Sequence, residues 1–63
     1  MRRLSGTYDG VEYVIHEHDR GMVECPSSLV DVLKQDDGSL PTGPDLEQTC
    51  RLLFGESFQV REL

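Results

Sequence analysis

The sequence has few of the features on which a specific biochemical activity usually depends. It contains no tryptophan and only two cysteines among 63 residues. Two cysteines are too few for a disulfide framework or a cysteine-based zinc site. No run approaches the ~18 apolar residues of a membrane span, and no apolar signal-peptide segment follows the basic N-terminus. These absences predict a cytoplasmic protein with no membrane contact, in which both cysteines remain thiols.

Basic residues are also scarce. Six lysine and arginine residues face twelve acidic ones, for a formal charge of −6 and a pI near 4.6. Domains that bind nucleic acids directly show the opposite balance, with basic residues clustered on one face. The composition therefore argues against direct nucleic-acid binding. An anionic surface suits a protein partner with a basic surface, although it also serves simply to keep a chain in solution.

The chain is long enough for one small domain, residues 1–63. A single core of this size rarely supplies more than about 3–5 kcal/mol, so a partner or self-association often adds stability. Small-molecule sites typically need about 300–1,000 Å³ of concavity, for which a chain this short has little room. Size thus favours a binding protein over an enzyme, and nothing in the sequence indicates a cofactor.

Two turn signals predict strands over the first 25 residues. Asp9-Gly10 favours a type I′ hairpin, which needs positive φ at both positions, and a second turn is expected at Asp19-Arg20-Gly21. Counting outward predicts an antiparallel meander over 2–8, 11–18 and 22–25. Its apolar face comprises Leu4, Gly6, Tyr8, Val11, Tyr13, Ile15, Val23 and Cys25. Gly6 lies opposite Tyr13 in this register, which predicts that the glycine leaves room for the tyrosine ring.

The rest of the chain predicts two short helices and a last strand. Pro26 ends the third strand, and Ser27 or Ser28 is expected to cap a helix over 27–35. Helical spacing predicts a second helix over 44–54 after an acidic loop at 36–43, and alternation predicts a strand over 57–62. The expected fold class is α+β in the order β-β-β-α-α-β. Two short helices then cover one face of a small antiparallel sheet.

Acidic residues are concentrated in the second half of the chain. Residues 26–63 hold seven acids against three bases. Charge complementarity between partners speeds association and fixes orientation, so the main hypothesis is a non-enzymatic protein-binding module. It would inhibit or regulate a larger protein, for example one that handles nucleic acids. A merely solvated acidic face is the alternative. The expected partner-binding residues are Asp31, Asp36, Asp37, Leu40, Asp45 and Glu47.

Two other hypotheses follow from the N-terminal strands. The outer face of the meander offers Val14 and Met22 beside His16, which would suit a structural or accessory subunit that homodimerises through its sheet. Alternatively, His16 and His18 point the same way in a strand and Glu24 lies opposite His16, which makes these residues weak candidates for metal ligands.

Cysteine and serine chemistry receives little support. A redox function would use Cys25 and Cys50, but buried structural cysteines are the simpler interpretation. No Gly-x-Ser-x-Gly motif is present. A nucleophilic serine would also need a base within reach, whereas the histidines are expected on the polar face of the sheet. We therefore predict no catalytic residues and no resident metal.

Overall fold

The computed structural model describes the backbone of residues 1–63 and every side chain except that of Arg20. It confirms the predicted α+β class and the order β-β-β-α-α-β. Short 3-10 turns follow β2 and α2. Neither α-helix in the described chain is long and apolar enough to cross a membrane. The elements are β1 (Arg2–Tyr8), β2 (Val11–Glu17), β3 (Val23–Glu24), α1 (Ser27–Leu33), α2 (Gly43–Phe54) and β4 (Gln59–Glu62).

All four strands form one antiparallel sheet in the order β3-β2-β1-β4. The predicted register is confirmed in both hairpins: Tyr8 lies opposite Val11, and His16 lies opposite Glu24. Asp9 and Gly10 have φ values of 53° and 79°, as the type I′ turn requires. Because β4 pairs with β1, β1 is an interior strand and the sheet edges are β3 and β4.

The core lies between the inner face of the sheet and the two helices. α2 buries three side chains against the sheet, whereas α1 buries two. The opposite, outer face of the sheet has no layer over it among the described residues. The buried hydrophobic residues of this core are Leu4, Ile15, Leu29, Leu33, Leu46, Cys50 and Phe54.

The missing side chain of Gly6 makes room for Phe54, a contact that the hairpin register alone did not predict. A Cβ atom built on Gly6 would lie 2.3 Å from Cγ of Phe54 and 2.4 Å from its Cβ. The second helix, whose position the hairpin cannot reveal, places Phe54 directly over this strand. Gly6 therefore couples β1 to the C-terminal end of α2.

The helix starts differ in part from the prediction. Pro26 is the N-cap of α1, and its carbonyl accepts the N–H of Leu29 at 2.9 Å, so neither Ser27 nor Ser28 caps the helix. Thr42 occupies the N-cap position of α2, but its side chain makes no capping hydrogen bond. Instead, the N–H of Gly43 donates to Oε2 of Glu17 at 2.5 Å. A carboxylate from the sheet thus takes the place of a local cap.

Candidate functional site

Strand β3 forms one edge of the sheet, and its hydrogen bonds fix which main-chain groups face outward. The N–H of His18 donates to the carbonyl of Met22 at 2.7 Å. Antiparallel pairs alternate, so Met22 and Glu24 direct their main-chain groups toward β2, while those of Val23 and Cys25 point away from it. No described strand pairs with this outer edge. β3 therefore offers the N–H and C=O groups of two residues.

An open groove of about 420 Å³ lies beside this edge. Val23, Cys25 and Leu40 form its apolar floor, because these partly buried side chains also pack against the core. We call it the β3 groove. It is lined by His18, Met22, Val23, Glu24, Cys25, Val30 and Leu40.

The loop between the helices is ordered by its own hydrogen bonds and holds Leu40 in place. The N–H of Gln35 donates to the carbonyl of Ser39 at 2.8 Å. Oδ1 of Asp37 accepts both the N–H of Ser39 at 3.0 Å and its hydroxyl at 2.6 Å. The hydrogen bond from the Ser39 hydroxyl is the main cause of the lowered pKa of Asp37. Leu40 was predicted to bind a partner, and its half-buried position in the groove leaves part of its side chain accessible for that contact.

Most of the predicted partner-binding acids point into solvent. The side chain of Asp31 is 89% exposed and makes only a long contact of 4.0 Å with Lys34. Asp36, Asp37 and Asp45 are exposed and make no ion pair with the described side chains. Asp31 follows the groove residue Val30 in α1. The loop acids Asp36 and Asp37 precede Leu40. Three of the negatively charged side chains are therefore close in sequence to residues that line the groove.

Glu47, the remaining predicted acid, belongs to a network of ion pairs between α2 and the sheet. Arg2 donates from Nη1 to Oε1 of Glu47 and from Nε to Oε1 of Glu17, both at 2.7 Å. Arg51 donates from Nη2 to Oε2 of Glu47 at 3.1 Å. The pKa of Glu47 is lowered chiefly by Arg51, and that of Glu17 chiefly by Arg2. Glu47 thus ties α2 to β1, unlike the four solvated aspartates.

The outer face of the sheet contains the predicted dimer surface. Val14 is 44% exposed and Met22 is 65% exposed, while His16 is partly buried. Arg3 lies opposite both His16 and Arg61, which places three basic side chains in one row across the sheet. Neither arginine makes an ion pair with a described side chain. This face is open, but it is mixed in character.

The histidines do not form a metal centre with their neighbours in the described part of the chain. The rings of His16 and His18 have centroids 6.3 Å apart. Glu24 lies opposite His16 in register, yet its Oε1 contacts Nε2 of His18 at 2.9 Å. No group of three or more His, Cys, Asp or Glu residues is placed to hold a metal ion among the described residues. The pair of His18 and Glu24 instead forms one wall of the β3 groove.

Both cysteines are free thiols with raised pKa values. Cys25 is half-buried in the β3 groove, and Cys50 is buried in the core. Desolvation raises the pKa of the Cys25 thiol, and it raises the pKa of Cys50 to about 11. Reactive and redox-active thiols usually have lowered pKa values. The geometry therefore gives no support to a redox function for this pair.

Three apolar groove residues, Val23, Cys25 and Val30, were absent from the predicted site. The register already placed Val23 and Cys25 on the inner face. The missing information was that α1 and Leu40 stop short of covering them. Comparisons with protein-family models, with curated proteins and with solved structures found no match to this chain. Its function is therefore argued from geometry and chemistry.

Proposed function

We propose that this chain is a non-enzymatic protein-binding module that recognises a basic region of a larger protein and inhibits or regulates it. The observation that carries the proposal is the β3 groove, an open apolar depression beside an unpaired strand edge on an acidic molecule. Apolar surface of this kind favours association when it is covered. A larger protein that handles nucleic acids would offer the basic surface that this charge favours.

The charge of the molecule supports a basic partner. Single exposed ion pairs contribute little to affinity, so Asp31 or Asp36 alone would not define the binding energy. A net charge of −6 acts instead over the whole surface and speeds encounter with a positively charged protein. In this proposal the acids guide the partner, and the apolar groove supplies much of the affinity.

The non-enzymatic part of the proposal rests on the state of the most reactive side chains. The pKa values of both thiols are raised by burial, which lowers the fraction of nucleophilic thiolate at neutral pH. His18 is held by Glu24 on the surface of the sheet. A catalytic base needs a nucleophile or substrate atom within about 2.6–3.2 Å. Among the described side chains, no hydroxyl or thiol forms a hydrogen bond with His18, whose partner is Glu24.

The test is binding to a partner captured from the source cell and then purified. We expect its affinity to fall by about tenfold or more when salt rises from low to roughly physiological concentration, because salt screens exposed charges. The variant Asp31→Lys/Asp36→Lys should weaken binding more than a control variant with the same charge change, because these acids lie near groove residues in the chain. It should leave the loop intact, because Asp37 and not these residues bonds to Ser39. Glu12→Lys/Glu56→Lys is the matched control, with the same charge change at two other exposed acids. Equal losses in the two variants would rule out a localised acidic site.

A homodimer formed through the outer face of the sheet is a second candidate. The observation in its favour is the exposure of Val14 and Met22 on a face without a covering layer. Sedimentation equilibrium should then give a mass near twice 7.1 kDa, and Val14→Lys should return the protein to the monomer mass. A wild-type monomer at high protein concentration would remove this candidate.

A further inference from the structure

We infer, on the basis of the proposed function, that the partner binds by β-strand addition at β3. An extended basic segment would pair with the outward main-chain groups of Val23 and Cys25 and place one apolar side chain in the β3 groove. Strand addition uses main-chain hydrogen bonds for affinity and side-chain pockets for specificity. Both components lie side by side here, because the unpaired edge residues also form the groove floor.

The alternation of a strand gives the sequence pattern of the bound segment. Side chains on the inner face of the sheet meet the groove, so the residue there should be apolar. Its two neighbours point to the outer face, where Glu24 is 73% exposed. The neighbour opposite Glu24 should be lysine or arginine, because opposite charges across neighbouring strands are favourable. The neighbour opposite Met22 should also be basic, because the whole molecule carries a net charge of −6. We expect a basic–apolar–basic pattern in an extended conformation.

Charge argues against a second copy of the chain as the occupant of this edge. Two β3 edges paired with each other would bring two Glu24 carboxylates near one another on the same face, and each copy already carries a net charge of −6. Like charges in this arrangement are destabilising. A basic segment from another protein meets the same edge with the opposite sign of charge.

The length of β3 limits the pairing. Its neighbour Pro26 begins the turn into α1 and cannot continue a ladder as a donor. Pairing is therefore confined to about four residues, Met22 to Cys25. Main-chain bonds over such a short stretch need the apolar anchor and the charges to add affinity. All three components should consequently be necessary for binding.

The first experiment selects linear peptides from a randomised displayed library and measures how each one affects alkylation of the wild-type protein. Selected peptides should carry the basic–apolar–basic pattern. At saturation they should slow the modification of Cys25 by about tenfold or more, because the thiol lies in the occupied groove. Cys50, buried in the core, provides an internal control: its modification should remain slow with or without peptide.

Two pairs of variants then separate the edge from the groove. Val23→Pro removes one outward N–H, and the extended backbone of Met22 (φ −84°, ψ 129°) accepts a following proline. It should weaken peptide binding by about tenfold or more, whereas Val23→Thr, which keeps the N–H, should have a smaller effect. Val30→Asn, in the groove wall, should weaken binding, while Val32→Asn, exposed on the same helix, should not.

The outcomes distinguish the binding mode from the proposed function. Selected peptides that bind while Cys25 remains freely modified would overturn strand addition but leave a protein-binding function intact. Failure to select any peptide, together with failure to capture a partner, would overturn both. If Val23→Pro fails to fold, the protection of Cys25 in the wild type still decides the binding mode. A wild-type dimer that protects Cys25 without peptide would identify a second copy as the occupant.

Discussion

The two helices attach to the sheet in very different ways. α2 is 12 residues long, packs over the interior strand β1, and is anchored through Gly43 and Glu47 by side chains from the sheet. α1 is seven residues long and has no side-chain cap. Its neighbour β3 contains two residues and has a free edge. We call the side formed by α2 and β1 the closed side, because its apolar groups are packed and its polar groups are paired. The side formed by α1 and β3 is the open side, where apolar side chains and main-chain groups remain uncovered.

This difference suggests that separate parts of the 63-residue chain determine its stability and its binding to a partner. The closed side contains Phe54 and the ion pairs of Arg2, so substitutions there should mainly change the free energy of unfolding. The open side contains the β3 groove, where substitutions should mainly change affinity for a partner. Binding surfaces often come from the less stable parts of a fold.

The largest effect on stability should come from Gly6→Ala. The added Cβ would overlap Phe54, whose own Cβ and Cγ cannot move without shifting α2. Overpacking of this kind typically costs about 1–3 kcal/mol, a large part of the stability expected for a domain of this size. Urea unfolding followed by circular dichroism measures the loss.

A matched control is available on the adjacent strand position. Ser5 is the residue before Gly6 in β1, but its side chain lies on the outer face of the sheet. Ser5→Ala should therefore change stability by less than about 0.5 kcal/mol. Combining Gly6→Ala with Phe54→Ala should be less harmful than the sum of the two single changes, because alanine lacks Cγ and Cδ2, two of the three Phe54 atoms that the added Cβ would overlap. Strict additivity would mean that Phe54 is not the source of the strain.

The next largest effect should come from Glu17→Gln. Its carboxylate, 13% exposed, accepts hydrogen bonds from Arg2 and from the N–H of Gly43. Hydrogen bonds to charged groups contribute about 1.5–3 kcal/mol, so we expect a loss of about 2 kcal/mol at neutral pH. The free energy of unfolding at pH 7 measures it, and Glu12→Gln, an exposed residue of the same strand, provides the control.

The pH dependence should identify Glu17 as a source of acid sensitivity. Its pKa in the folded protein is lowered from the ordinary value of 4.5, mainly by the hydrogen bond from Arg2. A lowered folded-state pKa means that the stabilisation is present above pH 4.5 and is lost as the pH falls through the folded value. The gap in stability between wild type and Glu17→Gln should therefore narrow in acid. A constant gap would show that the carboxylate charge is not responsible.

Much of the fold could be predicted because local signals fixed it. Asp9-Gly10 and Gly21 set two turns, and turn length then fixed the pairing of β1, β2 and β3. The helices followed from apolar spacing, with errors of one or two residues at their ends. Sequence neighbours determine these features directly, which is why the hairpin register was correct down to individual pairs.

The candidate site was less predictable because it depends on contacts between distant segments. Leu40 was identified, but its groove also needs Val23, Cys25 and Val30 from other elements. Glu47 resembled the other acids in sequence, yet Arg2 lies beside it only after α2 packs on β1. Charge composition indicated the sign of a partner's charge. The β3 groove, which the short helix α1 leaves uncovered, was visible only in three dimensions.

A smaller difference should separate the two cysteines. Cys50→Ala removes a sulfur atom from the closed core and should cost about 1 kcal/mol, because burial of one such group contributes roughly 0.8 kcal/mol and a cavity remains. Cys25→Ala opens the floor of a groove that already meets solvent, so its cost should be less than half as large. Thermal and urea unfolding of both variants provide the measurement. Equal costs would argue that β3 is as well packed as α2.

Hydrogen exchange of single amides compares the closed and open sides of the molecule without any substitution. In β1, even-numbered residues pair with β2 and odd-numbered ones with β4, and the N–H of Thr7 donates to Oγ of Ser57 at 2.8 Å. Protection should therefore be continuous along residues 3–7. In β3 it should alternate: the amide of Glu24 is protected by β2, while those of Val23 and Cys25 exchange nearly as fast as in an unfolded chain.

A basic peptide that joins this edge should slow both exposed amides and leave β1 unaffected. Slow exchange at Val23 in the isolated monomer would mean that the edge is already covered, and the open side of the molecule would then need another explanation.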